Sequence, residues 1–504
     1  MQDTNTNQRL ARNTILLYCR MFVMMGVAFY TTRVLLQVLG VDDYGIYNTI
    51  AGVVILFAFL NNAMITTTQR FLNYYLGQEN EKLATSSFSM SLIVHFFIAV
   101  IMAVLAEIIG LWFLYNKMSL PSERFDAAFW SLHISVAITF VNIIRSPYNA
   151  CIIAYEKMDF YAYISIVEAL LNLLIVYVLV LVNVDHLIFY CILLFIVTLS
   201  ITYAYKLYCN HHYTISIFKL KFDKEMFSSL FHFSLYSLLG NAANVGAQQG
   251  VNLLVNSFTN VAVNAAIGVS NQLSRGIYSF ITNFQIAFNP ILVKMYARNE
   301  LSDLKKMICQ VSRFSFYLMV VISLPIIVYA NNFLQLWLKE VPVYSADFCR
   351  LTILTLLIDT IAEPLWKTVQ ASGNIKRYQI ITSFIILLNL PVAYFILRAG
   401  YSPVYIFIAK FLINILAYLY RAFFVKQLIS FQVKIYLKDV IIPITIISLA
   451  LILIGFLSYS MITNYIISSL VMFICSTIFI WVIGLNAHER KFIFQEIHKK
   501  LPRK

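Results

Sequence analysis

The chain has 504 residues, of which 61% are hydrophobic and only 12% are charged. Soluble globular proteins carry about 25% charged residues, so this composition excludes a soluble fold. The formal net charge of +14 is expected in a membrane protein whose basic loops and tail face anionic lipid. The excess of lysine and arginine therefore predicts no nucleic-acid partner.

Fourteen apolar segments follow one another along almost the whole sequence. A helix needs about 20 apolar residues to cross a bilayer, and it bonds its backbone polar groups internally, as lipid requires. The sequence therefore predicts an all-α membrane protein with about 14 transmembrane helices. The predicted spans are 12–38, 45–69, 86–114, 125–148, 160–183, 186–208, 227–257, 263–290, 308–336, 347–370, 378–398, 402–425, 439–459 and 463–485.

Basic residues are unevenly divided between the loops on the two sides of the membrane. With the N-terminus placed in the cytoplasm, 26 of the 37 lysines and arginines fall in cytoplasmic loops, termini and the adjoining span ends, and only 4 fall in or beside outer loops. Cytoplasmic loops of membrane proteins carry such an excess. We therefore expect a multi-pass protein of the cytoplasmic (inner) membrane, with both termini and the 208–225 loop in the cytoplasm.

No loop is long enough to form a soluble catalytic domain. The sequence also lacks the glycine-rich phosphate-binding motif and the HExxH zinc motif, and its cysteines and histidines show no metal-ligand spacing. These absences favour a transporter over an enzyme and predict no resident cofactor or metal. A coupling ion, H⁺ or Na⁺, is compatible with the sequence.

The central cytoplasmic loop separates two sets of six predicted helices. Because six is an even number, both sets enter the membrane from the same side and form parallel lobes around a central cavity. The last two helices carry few polar residues and are expected to pack at the periphery. The predicted parts are an N-lobe (1–210), a linker (211–226), a C-lobe (227–428), helices 13 and 14 (429–485) and a basic cytoplasmic tail (486–504).

Amide side chains recur at helical spacing on the first two helices of each lobe. Single amides within a span serve hydrogen bonds between helices, whereas several in line on one face favour a water-filled cavity. Amides with few acids suit an uncharged, hydroxyl-rich solute such as a glycan. The substrate-binding residues predicted on these faces are Asn62, Gln69, Asn241, Asn244, Gln248, Asn252 and Asn271.

Basic residues within spans fall into two groups. Some lie close enough to a span end to place the charge in the interface, which favours structural roles for Arg145, Arg313 and Arg350. Others are predicted to bind an anionic substrate, because arginine forks match phosphate oxygens; these are Arg20, Arg33, Arg275 and Lys410. Arg33 lies near the outer end of its helix, where Asp42 and Asp43 are expected to neutralise it.

Acidic residues within spans are the candidates for ion coupling. Asp359 and Glu363 are one helical turn apart and precede Pro364, which predicts a kink at a carboxylate pair. The two alternatives are an H⁺ or Na⁺ site and pairing with a buried arginine. The ion-coupling candidates are Glu168, Asp359 and Glu363.

Several segments resemble Wzx-type polysaccharide flippases of the multidrug/oligosaccharidyl-lipid/polysaccharide exporter superfamily. They are 33–47, 154–158, 166–168, 289–292 and 370–376. The resemblance implies a MATE-like fold and transfer of undecaprenyl-pyrophosphate-linked oligosaccharide from the inner to the outer leaflet. It also implies polysaccharide polymerase and glycosyltransferases as partners. Relatives that flip cell-wall precursors carry cavity arginines on the first helix of one lobe and the second helix of the other, where Arg20 and Arg275 lie here.

Two functions of different substrate class fit this resemblance. The first is a flippase for lipid-linked oligosaccharide in surface polysaccharide assembly, such as O-antigen or lipopolysaccharide. The second is a multidrug or cation exporter of the same fold. A cation exporter requires acids in its cavity, whereas arginines and amides dominate the predicted cavity, so the sequence favours the flippase. A membrane glycosyltransferase is disfavoured because the loops are short.

Overall fold

The computed structural model describes residues 2–55, 58–116, 122–219, 222–259, 261–338, 341–486 and 489–490. Within these ranges all regular elements are helices, and no strand occurs. Nine of the described helices are long and apolar enough to cross a membrane. The predicted all-α, multi-pass membrane fold is therefore confirmed.

The chain forms two compact units whose boundary falls inside one long helix. The N-terminal unit comprises Ala11–Asn241, and the C-terminal unit comprises Ala242–Lys504 together with Met1–Leu10. The helices up to this boundary are α1 (Gln2–Ile55), α2 (Ala58–Gly77), α3 (Glu81–Asn116), α4 (Phe125–Ala154), α5 (Met158–Val180), α6 (His186–His212) and α7 (Lys224–Phe258).

Gly40 divides α1 into two helical parts. Its φ of 77° and ψ of 172° lie outside the helical region, and glycine adopts a positive φ without the steric cost that a Cβ brings. The break falls between the predicted spans 12–38 and 45–69, so the chain turns where the sequence analysis placed the first outer loop.

Arg124, just before α4, ties together three elements of the N-terminal unit. Its guanidinium donates to both carboxylate oxygens of Asp43, with 2.7 Å between Nε and Oδ1, and to Oδ2 of Asp185 at 2.5 Å. Arg124 is thus a partner of Asp43 that the sequence analysis did not predict, and the expected pairing of Asp43 with Arg33 stays a prediction. The side chains of Arg33 and Asp42 lie outside the described residues.

Asp185 also caps α6, since its carboxylate accepts from the backbone N–H groups of Leu187 and Ile188. Burial alone would raise the pKa of Asp185, but these two donors and Arg124 together hold that pKa below its usual 3.8. A carboxyl with a lowered folded-state pKa stabilises the fold above its unfolded pKa, and it loses this contribution as the pH falls through the folded value.

We therefore expect Asp185→Asn to lower the thermal midpoint at pH 7, and we expect the difference from the wild type to disappear as the pH falls through the folded-state pKa of Asp185. The asparagine keeps the cap through its amide oxygen, but it loses the charge and the acceptor that Oδ2 offers to Arg124. Because the Arg124–Asp185 pair is partly exposed, we expect the free energy of unfolding to fall by about 1 kcal/mol, which lowers the thermal midpoint by about 2 °C. Thermal unfolding in detergent, from pH 7 into the acid range, measures the difference in thermal midpoint between the variant and the wild type. Glu123→Gln, at an exposed neighbouring residue, is the control. A thermal midpoint lowered equally at pH 7 and at acid pH would contradict a stabilising ion pair between Asp185 and Arg124.

The connection after α6 packs on the N-terminal unit. Ile215 and Ser216 are buried, and the backbone N–H of Lys219 donates to Ser89 Oγ at 3.2 Å. The first turns of α7 belong to the same unit, since the Phe233 ring meets Phe71 edge to face with 5.8 Å between centroids. These contacts explain why the boundary between the units lies within α7.

The C-terminal unit is built around α11, which packs against α8, α9 and α14. Its helices after α7 are α8 (Val261–Ala297), α9 (Leu301–Val328), α10 (Ala330–Trp337), α11 (Ser345–Ser372), α12 (Lys376–Leu387), α13 (Asn389–Arg398), α14 (Val404–Ile429), α15 (Val433–Tyr436), α16 (Ile442–Met461) and α17 (Tyr465–Phe479).

The last two long helices, α16 and α17, pack against α9. The Tyr329 hydroxyl, at the end of α9, donates to Ser468 Oγ on α17 at 2.9 Å. Beyond α17, the buried carboxylate of Glu489 forms an ion pair with Arg313 of α9, with 2.7 Å between Nη2 and Oε1. Breaking a buried pair leaves an uncompensated charge, so this contact fixes the end of the α16–α17 pair on α9.

The three arginines assigned structural roles each have an acidic partner. Arg145 pairs with Glu168 at 2.9 Å, Arg313 pairs with Glu489, and Arg350 pairs with Asp347 at 3.0 Å. An ion pair lowers the cost of placing each charge near the membrane, which is what a structural role requires.

Candidate functional site

The C-terminal unit contains a polar cavity of about 240 Å³, which we call the C-terminal cavity. Residues of α7, α8, α11, α12, α13 and α14 contribute to its wall. Its polar lining consists of Asn244, Gln248, Asn252, Asn271, Asp359, Asn389 and Lys410.

The helical period explains how α7 lines this cavity. Asn244, Gln248 and Asn252 follow one another at intervals of four residues, which places them on one side of a helix. Asn244 and Gln248 are exposed, and Asn252 is half-buried and donates to Gln249 Oε1 at 3.3 Å. The face predicted from the sequence is therefore open to the cavity rather than covered by neighbouring helices.

Asp359 and Lys410 are the two charged residues of the cavity lining. Asp359 Oδ1 accepts a hydrogen bond from Asn414 Nδ2 at 3.0 Å, and the same amide donates to the Thr355 carbonyl at 3.3 Å. Asn414 lies one turn beyond Lys410 on α14, so one helix supplies both the cation and the amide near this carboxylate. The lining thus combines one acid, one base and several amides.

Glu363 has a different environment from Asp359. It forms an ion pair with Lys367 at 3.4 Å and is absent from the cavity lining. Among the described residues neither carboxylate forms an ion pair with an arginine. Arg421 of α14 donates instead to the Tyr378 hydroxyl at 2.6 Å and to the backbone carbonyl of Ala362.

Arg20 of α1 is the candidate anion ligand in the N-terminal unit. It is half-buried, and its Cζ lies 4.4 Å from the centroid of the Tyr161 ring, a cation–π geometry. Its Nε is buried and donates to none of the described residues. A guanidinium that stacks on a ring keeps its N–H groups in the plane of the fork, so the aromatic contact is compatible with the predicted binding of an oxyanion.

The structure brings together part of the predicted substrate set and one coupling candidate. Asn244, Gln248, Asn252, Asn271 and Lys410 line the C-terminal cavity together with Asp359. Arg275 is exposed on α8 and donates to Gln272 Oε1 at 3.2 Å. Gln69 and Asn241 are half-buried in the N-terminal unit, and the side chains of Arg33 and Asn62 lie outside the described residues. Binding by each of these residues stays a prediction.

The sequence analysis missed Asn389. This residue begins α13 after the interruption that separates α12 from α13, and its amide donates to the Ile386 carbonyl at 2.7 Å. The 21-residue apolar span 378–398 has only one other amide, Gln379, ten residues earlier, so no periodic signal marks Asn389. The available clue was Pro391 two residues later, since a proline within a helix frees backbone groups that need new partners.

We expect cysteines placed on the amide face of α7 to react with a hydrophilic thiol reagent. Asn244→Cys and Gln248→Cys should react rapidly because thiolates form only in water. Leu253→Cys and Leu239→Cys are the matched controls, because these exposed leucines lie on the opposite side of the helix. The background is a variant without native cysteines. Equal labelling of the amide face and of the opposite, leucine-bearing face of α7 would contradict the prediction that only the amide face meets water.

The middle of the chain matches a known family model. Residues 237–395 match the MatE family, a segment that includes most of the lining of the C-terminal cavity. No curated protein sequence matches the chain.

Solved structures similar to this chain are MATE transporters. A crystal structure of MATE in the straight conformation has a TM-score of 0.70 and 14% identity, covering 84% of this chain and 96% of that one. An outward-facing multidrug resistance MATE family transporter of the MOP superfamily has a TM-score of 0.68 and 13% identity, covering 85% and 98%. The chain therefore has the MATE transporter fold.

A third structure is a MOP superfamily transporter from Pyrococcus furiosus, described as having a binding pocket of reverse polarity that suggests a different function. It has a TM-score of 0.67 and 13% identity, covering 84% of this chain and 96% of that one. At this identity the likeness concerns the fold, and function has to be argued from the site.

Proposed function

We propose that this protein moves undecaprenyl-pyrophosphate-linked oligosaccharide from the inner to the outer leaflet by alternating access, for surface polysaccharide assembly. The MATE transporter fold supports membrane transport. The substrate class is argued from the side chains that the fold carries.

The observation that carries the proposal is the amide-rich lining of the C-terminal cavity. Five amides, from Asn244, Gln248, Asn252, Asn271 and Asn389, share this wall with one acid and one base. Amides both donate and accept hydrogen bonds, as sugar hydroxyls do, so the wall suits an uncharged glycan. The diphosphate requires cations, and the guanidinium of Arg20 has a buried Nε without a hydrogen-bond partner among the described residues.

Multidrug export is the second candidate, and Asp359 is the observation that favours it. A carboxylate in the cavity wall attracts a cationic drug, and one similar structure is a multidrug resistance transporter. Lys410 lines the same cavity, however, and repels such a drug. The description of a reverse-polarity pocket in another structure of this fold supports the view that pocket charge, rather than fold, separates these functions.

Complementation tests the proposal. The gene is introduced into a strain that lacks its own flippase and accumulates the glycan lipid in the cytoplasmic leaflet. We expect surface polysaccharide to return and the accumulated lipid to fall. Unchanged accumulation in strains with several different glycans, together with increased resistance to cationic drugs, would favour the multidrug exporter.

A further inference from the structure

A second polar cavity, of about 290 Å³, lies at the beginning of α11, and we call it the α10–α11 cavity. It shares no lining residue with the C-terminal cavity. Ser345 begins α11 and Asp359 lies 14 residues later, a separation of about 21 Å along the helix. The predicted topology places this end of the C-terminal unit on the outer side of the membrane.

Amide groups form one side of the α10–α11 cavity. Asn331 and Gln335 are exposed, lie one turn apart on α10 and both line it. Arg350 faces the cavity from α11, where its Nε donates to the Ile327 carbonyl and its Nη1 donates to Asp347, both at 3.0 Å. Its Nη2 donates to none of the described residues, which leaves two N–H groups for a ligand.

Ser345, which also lines this cavity, carries an unused hydroxyl that is itself buried. The residue is 1% exposed, and its Oγ has no hydrogen-bond partner among the described residues. A buried polar group without a partner is costly, so an occupant that bonds to this hydroxyl removes a penalty. The preceding Tyr344 has a left-handed φ of 70° and provides no side-chain cap, so no side chain caps the first N–H groups of α11.

The mixture of donors and acceptors identifies the ligand class. Arg350, Ser345 and the first turn of α11 offer donors, while the half-exposed carboxylate of Asp347 offers acceptors. A phosphate or sulfate would be repelled by this carboxylate, whereas sugar hydroxyls donate to it and accept from the other groups. The volume of about 290 Å³ lies just below the range of about 300–1,000 Å³ that is typical of ligand pockets.

We propose that the α10–α11 cavity binds one or two sugar units of a glycan on the outer side of the membrane. This inference rests on the proposed function, since it assumes that the transported molecule carries sugar. A site at the outer end retains the glycan after it has crossed, which opposes its return and favours net export.

Saturation-transfer NMR on the purified full-length protein tests this site without lipid carrier or transport. The probes are the methyl glycosides of glucose, galactose, rhamnose and N-acetylglucosamine at millimolar concentration. We expect transfer to at least one glycoside, and we expect the double variant Asn331→Ala with Gln335→Ala to raise its Kd about tenfold. Asn332→Ala is the matched control, because this neighbouring amide does not line the cavity.

Ser345→Ala separates binding from folding. Removing an unpartnered buried hydroxyl should leave the thermal midpoint unchanged or higher, while binding of the glycoside weakens. Transfer to none of the four glycosides, equal transfer in the Asn331 and Gln335 variant, or displacement of the sugar by inorganic phosphate would overturn the proposal. The complementation experiment tests the flippase function separately. Sugar binding at this cavity without export of the glycan would therefore refute the flippase function alone.

Discussion

Replacing Arg20 by alanine is expected to reduce flipping of the glycan lipid by about 30-fold to 4,000-fold. Truncating one partner of a desolvated charge pair costs about 2–5 kcal/mol, and about 1.4 kcal/mol corresponds to a factor of ten. A transported diphosphate has to cross about 30 Å of hydrocarbon, and we expect the guanidinium of Arg20 to replace part of its hydration there. Flipping in reconstituted vesicles measures the effect, with thermal unfolding to show that the variant is folded.

Three further variants make this result specific. Arg20→Lys should restore flipping only in part, because lysine keeps the charge but loses the planar fork that binds two oxygens. Arg275→Ala should cause a loss of similar size if the predicted pair of arginines holds the substrate. Arg298→Ala, an exposed arginine after α8, is the control and should flip normally. Wild-type rates in both alanine variants would refute the cationic mechanism.

Asp359→Asn is expected to abolish gradient-driven transport, by at least about tenfold, while binding of substrate persists. Asp359 lines the C-terminal cavity and accepts from Asn414, so an ion that enters the cavity can reach its carboxylate. Asparagine preserves the size and part of the hydrogen bonding but removes the charge. Transport driven by an H⁺ or Na⁺ gradient, compared with substrate binding at equilibrium, gives the two readouts.

Glu363→Gln is the matched control for this experiment. Glu363 lies one turn from Asp359, but it is paired with Lys367 and does not line the cavity. We expect a smaller loss of coupling in this variant. If Glu363→Gln abolishes coupling and Asp359→Asn does not, the coupling site lies away from the C-terminal cavity. Normal coupling in both variants would leave Glu168, which is paired with Arg145, as the remaining candidate for ion coupling.

Periodicity in the sequence predicted the architecture well, because lipid leaves the backbone few alternatives to a helix. Once α7 is taken as a helix, its amide face can also be predicted, because Asn244, Gln248 and Asn252 repeat at helical spacing. Partners that come from distant parts of the chain carry no such pattern. Arg124 lies 81 residues from Asp43 and 61 residues from Asp185, so no local spacing could indicate these two ion pairs.

The pairing of the acids in α11 could not be read from spacing either. Asp359 and Glu363 look equivalent in the sequence, yet only Asp359 reaches the cavity wall. The difference comes from Lys367, one turn beyond Glu363, and from Asn414 on α14. Local spacing predicts which residues share a helix face, whereas tertiary packing decides which neighbour each carboxylate meets.

The most direct test of the proposed substrate is reconstitution of the purified protein in vesicles. A fluorescent polyprenyl-pyrophosphate oligosaccharide and a lipophilic drug cation are offered in parallel, with an ion gradient across the bilayer. We predict rapid movement of the glycan lipid, lost in Arg20→Ala, and no gradient-driven movement of the cation. Movement of the cation with the glycan lipid left in its original leaflet would contradict the flippase and establish the multidrug exporter.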